Sequence, residues 1–173
     1  MNYRISKSAY MMDFWVCPCL AVLLVLVSRR SPPFTALLLL CAGLLAWSLA
    51  EYAIHRWLFH GRSALAQEHG EHHGRPSEYI GLSGWYTLPG LSGLYGLLWL
   101  VMGQAAGPLL LGFVLGYYLY ITVHFWFHHR RVAPGSLLFR LKVRHVRHHV
   151  GGHENFGVTT PVWDHVFGTF RKR

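Results

Sequence analysis

From Tyr79 to Val123 the chain runs 45 residues without an Asp, Glu, Lys or Arg. A helix of about 20 apolar residues crosses the roughly 30 Å of a bilayer's hydrocarbon, so this stretch holds two spans. Gly103-Gln104-Ala105-Ala106-Gly107-Pro108 interrupts it with the composition of a turn. Two more apolar runs come first. Residues 11–27 carry only Asp13, residues 34–54 are uncharged as far as Ala50, and Ser28-Arg29-Arg30-Ser31-Pro32-Pro33 lies between them. Basic residues follow the first run and no small-residue cleavage site is evident, so it reads as a retained span and not a cleaved signal. The expected architecture is an all-α integral membrane protein forming a single domain over 1–173. Four transmembrane helices, 11–27, 34–54, 84–103 and 108–128, pair as two hairpins, with a histidine-rich helical cap made of 55–80 and 129–173.

Composition agrees: 53% of the residues are hydrophobic and only 13% charged, which excludes a disordered chain. The net charge of +9 suggests nucleic acid until the charges are placed. Four spans put 14 of the 16 Lys and Arg residues on one side and leave only Arg29 and Arg30 on the other. The excess positive side is cytoplasmic, so the basic residues read as a membrane topology signal and no nucleic-acid partner is expected. The same placement sets every histidine on the cytoplasmic side or at helix ends facing it, in an inner membrane if bacterial and the endoplasmic reticulum if eukaryotic. Cys17, Cys19 and Cys41 all lie in apolar runs and read as buried thiols of a reducing setting.

Thirteen histidines against seven carboxylates is the second constraint. His69, His72 and His73 follow the spacing i, i+3, i+4, as do His145, His148 and His149, and each set occupies one helical face. His124 and His128 are four apart at the end of the fourth span, again on one face. His55 and His60 are five apart, and converge only if the second helix ends or bends between them. Imidazole is the commonest nitrogen ligand for transition metals and each ion takes four to six ligands, so these ten residues would serve two ions. A lone histidine on an apolar helix is more often a packed residue than a ligand. Four spaced groups on one side of a membrane outweigh that reading, while His129, His153 and His165 keep it. Glu51, one turn before His55, and Asp164 are the carboxylates placed to orient imidazoles from behind; Arg56 or Arg75 is an equally ordinary partner for Glu51. Glu68, Glu71, Glu78 and Glu154 read as solvated. A carboxylate-bridged site with Glu-x-x-His pairs is not supported, and His-Glu-x-x-His, Gly-x-Ser-x-Gly and phosphate-loop motifs are absent.

The boxes Glu51-Tyr-Ala-Ile-His55-Arg-Trp-Leu-Phe-His60, His69-Gly-Glu-His72-His73, His124-Phe-Trp-Phe-His128 and His145-Val-Arg-His148-His149, in this order, resemble the fatty acid hydroxylase and sterol desaturase superfamily of membrane di-iron oxygenases. The segment from Asn155 to Thr169 is similar to the one that follows the last box there, so the likeness covers roughly residues 45 to 170. Glu-Tyr-x-x-His-Arg-x-x-Phe-His and Trp-Asp-x-x-Phe-Gly-Thr are closest in wording to the fatty acid 2-hydroxylase branch. Many eukaryotic members carry a fused cytochrome b5 domain in front, which these residues do not include.

The resemblance implies two irons held by the ten histidines, with zinc able to take their place in a structure, and O2 as co-substrate. One oxygen atom enters a membrane lipid, in this branch a fatty acyl chain at C2, and the other leaves as water. Electrons come from a separate protein, cytochrome b5-like, a ferredoxin or a reductase, for which the basic Arg140, Lys142, Arg144 and Arg147 form a docking surface. Carotenoid or sterol hydroxylation or desaturation is the alternative within the superfamily. A membrane metal transporter or metal-binding protein is the alternative from another class, although transport sites place their ligands near mid-bilayer.

Overall fold

A computed structural model describes residues 3–172, and their regular structure is helical. Eight α-helices follow one another: α1 Lys7–Met11, α2 Asp13–Ser28, α3 Pro33–Ala53, α4 Ala64–Gly74, α5 Thr87–Met102, α6 Ala106–His129, α7 Leu137–Gly151 and α8 Val162–Val166. A π-helical turn, Ile54–Phe59, extends α3, and a short 3-10 turn, Gly103–Ala105, precedes α6. Among the described residues there is no β-strand, only an isolated antiparallel bridge between Arg4 and Ile80. Serine starts three of the helices. The hydroxyls of Ser6, Ser63 and Ser136 accept the backbone N–H of Ala9, Ala66 and Phe139 at 3.1, 3.2 and 3.1 Å, satisfying donors that have no partner inside the helix.

Three helical tracts are long and apolar enough to cross a membrane: Lys7–Ser28, Pro33–Phe59 and Thr87–His129. The last doubles back. The hydroxyls of Thr87 and Tyr117 are 3.5 Å apart, whereas 30 residues of straight helix would separate them by about 45 Å. It is therefore a helical hairpin, α5 and α6, turned at the glycine-containing 103–105 segment, where Gly103 has φ +57°.

The chain divides into two compact units. One comprises residues 6–47 and 82–118, with a core of Cys17, Leu24, Leu91, Leu110, Leu111 and Val114. Its helices meet through glycine: a Cβ on Gly43 would lie 2.0 Å from the Leu109 carbonyl, and one on Gly112 would lie 2.0 Å from that of Leu40. Backbones of α3 and α6 thus touch where small residues permit it, a common way of packing helices in lipid. Large apolar side chains such as Leu100 and Val101, 82% and 86% exposed, point outward. Cys17 is buried as expected, but Cys19 and Cys41 are free and exposed on these apolar helices. A span needs no interior position for an apolar side chain, because lipid serves instead.

The other unit comprises residues 3–5, 48–81 and 119–172 among those described, and holds every histidine. Val123, Phe127 and Val158 form its apolar core, flanked by Tyr120, Leu138 and Leu141.

Candidate metal centre

The ten histidines singled out by spacing gather into two groups of five. His55, His60, His69, His73 and His148 form one; His72, His124, His128, His145 and His149 form the other. Within each group the five ligand nitrogens all lie within 4.8 Å of one another. The two His-x-x-His-His boxes are shared between the groups. In α4 the i, i+4 pair His69 and His73 enters the first group while His72 enters the second; in α7 the pair His145 and His149 enters the second while His148 enters the first. Residues four apart point about 40° from each other, and the residue between them in the triplet is turned about 60° from the first and about 100° from the second, to one side of the pair. Two helices carrying the same spacing can therefore each serve both groups.

His55 and His60 reach the first group by a local change of winding. The Ile54–Phe59 segment is π-helical, and the His60 N–H donates to the His55 carbonyl at 3.2 Å, an i to i+5 bond. One extra residue in the turn brings positions five apart onto one face, which an α-helix does not do.

The donor set suits a cation. Nδ1 of His55 lies 2.6 Å from the Phe156 carbonyl, and Nδ1 of His148 lies 2.8 Å from that of Glu154. A carbonyl only accepts, so both rings carry their proton on Nδ1 and present a lone pair at Nε2. Those Nε2 atoms approach Nε2 of His69 and His60 at 3.1 and 3.0 Å, and His73 approaches His69 at 3.0 Å. In the second group the separations are 3.2 Å for His72 and His124, 3.1 Å for His124 and His128, 2.8 Å for His128 and His145, and 3.0 Å for His145 and His149. Nitrogens bonded to one metal at about 2.0–2.1 Å are roughly 3 Å from their neighbours. Converging lone pairs repel one another unless a positive charge lies between them, and the spacing fits that arrangement.

Electrostatics keeps the imidazoles unprotonated. Burial, then neighbouring imidazoles, pulls His60 and His72 down to about 4 and His149 to about 3. Burial likewise lowers His69, His73, His145 and His148. Neutral imidazole is the ligating form.

The remaining histidines lie apart from both groups. His129 stacks on Tyr79 and Phe125, His165 stacks on Phe170 at 3.9 Å, and His153 is exposed. Glu51 and Asp164 are both buried, but neither carboxylate bonds to an imidazole. Glu51 accepts the backbone N–H of Val158 and Thr159 at 2.6 and 2.9 Å and the Thr159 hydroxyl at 2.5 Å. Asp164 accepts the N–H of Phe156 and Gly157 at 2.8 and 3.0 Å, the Thr169 hydroxyl at 2.8 Å and the Arg144 guanidinium at 3.0 Å. Both therefore hold the loop whose carbonyls hold the rings. That pairing removes Arg144 from the expected basic docking surface: its side chain is only 11% exposed. Burial lowers its pKa while the Asp164 carboxylate opposes the shift.

Spacing in the sequence did not single out Tyr52, Thr159 or Thr169, nor the carbonyls of Glu154 and Phe156. Tyr52 is fully buried, takes a hydrogen bond from Arg56 at 2.8 Å, and lies 3.0 Å from the Thr169 hydroxyl. The wording Glu-Tyr-x-x-His-Arg and Trp-Asp-x-x-Phe-Gly-Thr was the available signal, because its members turn out to bond to one another and to one loop.

Comparison with known proteins agrees. The fatty acid hydroxylase family model matches residues 40–169. The rat fatty acid 2-hydroxylase is 35% identical over 141 residues, covering 73% of this chain and 38% of that protein. The ceramide very long chain fatty acid hydroxylase SCS7 of Saccharomyces cerevisiae is 32% identical over 157 residues, 78% of this chain and 38% of its own. The dihydroceramide fatty acyl 2-hydroxylase FAH2 of Arabidopsis thaliana is 35% identical over 144 residues, 76% and 60% respectively. The chain thus spans well under half the length of the rat and yeast relatives. The solved hydroxylase domain of full-length scs7p superposes with a TM-score of 0.79 at 27% identity, covering 98% of this chain and 68% of that one. On the family match and these identities, the chain belongs to the fatty acid hydroxylase family.

Proposed function

We propose that this chain hydroxylates a fatty acyl chain of a membrane lipid with O2 at two histidine-bound irons, attacking near the carboxyl end, at C2. The single observation that carries the reading is the pair of five-histidine groups, together with relatives whose names describe acyl 2-hydroxylation. An unactivated C–H bond is inert to every side chain, and bound iron would supply the activation of O2 that breaking it requires. The protein's own contribution is to hold ten neutral imidazoles in two sets and to keep the ligand loop fixed by buried carboxylates.

In this reading four helices cross the membrane, with α5 and α6 as separate spans, and the histidines lie on the cytoplasmic side. All ten would be metal ligands. Two electrons per turnover come from a separate acidic protein that docks on the basic surface around Arg131, Arg140 and Lys142. Arg131 and Arg140 are exposed, and Lys142 lies with Arg131 along one open hollow.

The test is mass spectrometry of products from the purified, iron-loaded protein given labelled palmitate-containing lipid or β-carotene. Reductant is a ferredoxin or cytochrome b5 system in one arm and dithionite in the other. The expected outcome is an acyl product heavier by one oxygen at C2, and neutralising Arg131, Arg140 and Lys142 together slows only the protein-driven arm. Product from carotene alone overturns the substrate, an acyl product lighter by two hydrogens overturns hydroxylation, and equal slowing in both arms at unchanged iron content overturns the docking surface.

A further inference from the structure

The two histidine groups match in number and spacing but differ in what holds the far side of their rings. In the first, Nδ1 of His55 and of His148 bonds to carbonyls of one short loop. In the second, Nδ1 of His72 and His145 is buried with no hydrogen-bond partner among the described residues. The loop of the first group is held at both relevant peptide planes, at one by Asp164 itself and at the other by Thr169, which Asp164 holds in turn. In a trans peptide the C=O and the following N–H point in opposite directions, and no peptide here is cis. The Gly157 N–H donates to Asp164 Oδ2 at 3.0 Å, so the Phe156 carbonyl of the same plane is aimed away from Asp164, at His55. The Asn155 N–H donates to the Thr169 carbonyl at 3.0 Å, which aims the Glu154 carbonyl at His148. Thr169 is itself tied to Asp164, by its N–H to the Asp164 carbonyl at 2.8 Å and by its hydroxyl to Oδ1 at 2.8 Å.

We propose that Asp164 is a positioning residue for one metal of the pair only, the one held by His55, His60, His69, His73 and His148, because it orients the two carbonyls that fix the rings of His55 and His148. The proposal rests on the two-metal reading above. It makes the two positions unequal: one is braced through the Asn155-to-Thr169 segment, and in the other neither His72 nor His145 has such a bond behind its ring. The side-chain chemistry required is narrow. Every polar contact of Asp164's carboxylate is with a donor, Phe156 N–H and the Thr169 hydroxyl on Oδ1, Gly157 N–H and Arg144 on Oδ2. Asparagine has the same size, yet either orientation of its amide sets NH2 against a backbone N–H.

Cobalt(II) titration of the purified full chain in detergent, followed by visible absorption, tests this. The unsubstituted protein should bind two equivalents; fewer than two overturns the two-metal reading itself and is seen without any variant. Asp164→Asn should bind one, with the spectrum that His55→Ala leaves and not the one that His145→Ala leaves. Asp164→Asn combined with His55→Ala should still bind one, and combined with His145→Ala none. Two equivalents with an unchanged spectrum in Asp164→Asn, or loss of both ions from a variant that retains a cooperative thermal transition, overturns the proposal. Should Asp164→Asn fail to fold, Thr169→Val removes the hydroxyl's contacts with Asp164 and Tyr52 and keeps the backbone bonds of Thr169. Losing a partner behind a ligand costs about 10–100-fold in metal affinity, so Thr169→Val should weaken one cobalt about 10-fold and leave the other unchanged, while Thr169→Ser binds both as the unsubstituted chain does. Equal affinities in Thr169→Val and the unsubstituted chain overturn the proposal.

Discussion

An imidazole binds a cation through one nitrogen at a time, so the residue-scale question is where its proton sits and what it costs to keep only one. Carbonyls on Nδ1 answer the first part for His55 and His148. Burial answers the second, because a protonated ring inside either group would face other imidazoles as well as lost water. His60 and His72 are pulled to about 4 and His149 to about 3, against about 6.5 for a free ring. Below pH 6.5 the unfolded chain therefore binds more protons than the folded metal-free chain, and stability falls as pH drops toward about 4; above 6.5 these groups contribute no slope. Melting the chelator-treated protein in one detergent at pH 7.5, 6.0 and 5.0 checks the sign. A progressive fall in Tm below 6.5 is expected, and a level or rising Tm counts against neutral buried rings.

At the scale of the element, winding decides whether a spacing makes a site. His124 and His128, or the triplets of α4 and α7, need only a regular helix. His55 and His60 need the π-turn, and the residues 54–59 accommodate it with Trp57 and Leu58 exposed at the bulge. Removing Leu58 would leave a spacing of four, which an ordinary α-turn places on one face, whereas adding one alanine after Trp57 would make it six and swing the second ring about 240° from the first. Metal analysis of the two variants should find the deletion closer to two equivalents and the insertion at one. Equal losses in both would mean that the length of the turn, and not the facing of the rings, matters. The expectation of a bend between the two histidines was legible from their five-residue spacing; its form was not, because the π-turn depends on what His60 meets in space.

For the whole molecule, the outstanding quantity is the number of crossings. Three tracts qualify by length and apolarity, and the third is folded into two helices. If both cross, residues 77 and 133 share a side and residue 31 lies opposite. Cysteine at Ser31, Ser77 and Ala133, each introduced alone into a chain whose Cys17, Cys19 and Cys41 are replaced by serine or alanine, can be labelled with an impermeant maleimide on intact cells. The expected pattern is labelling at 31 without permeabilisation and at 77 and 133 only after it. Labelling that separates 77 from 133 would mean that the α5–α6 hairpin crosses an odd number of times.

Charge-free runs, histidine spacings and the order of the four boxes are local properties, and the helices, the ten histidines and the family likeness were readable from them without any coordinate. What the sequence could not apportion was which histidine joins which group, since that depends on how α4 and α7 face each other across the site. Nor could it show the task of Glu51 and Asp164. Spacing suggested a direct bond from Glu51 to the ring one turn away, but a backbone N–H is an obligatory donor that must find an acceptor when buried. Four consecutive N–H groups, from Phe156 to Thr159, the first three of them buried, take those carboxylates instead. Periodicity along a chain determines which side chains share a face; only the folded structure decides which polar groups from distant segments compete for the same partner.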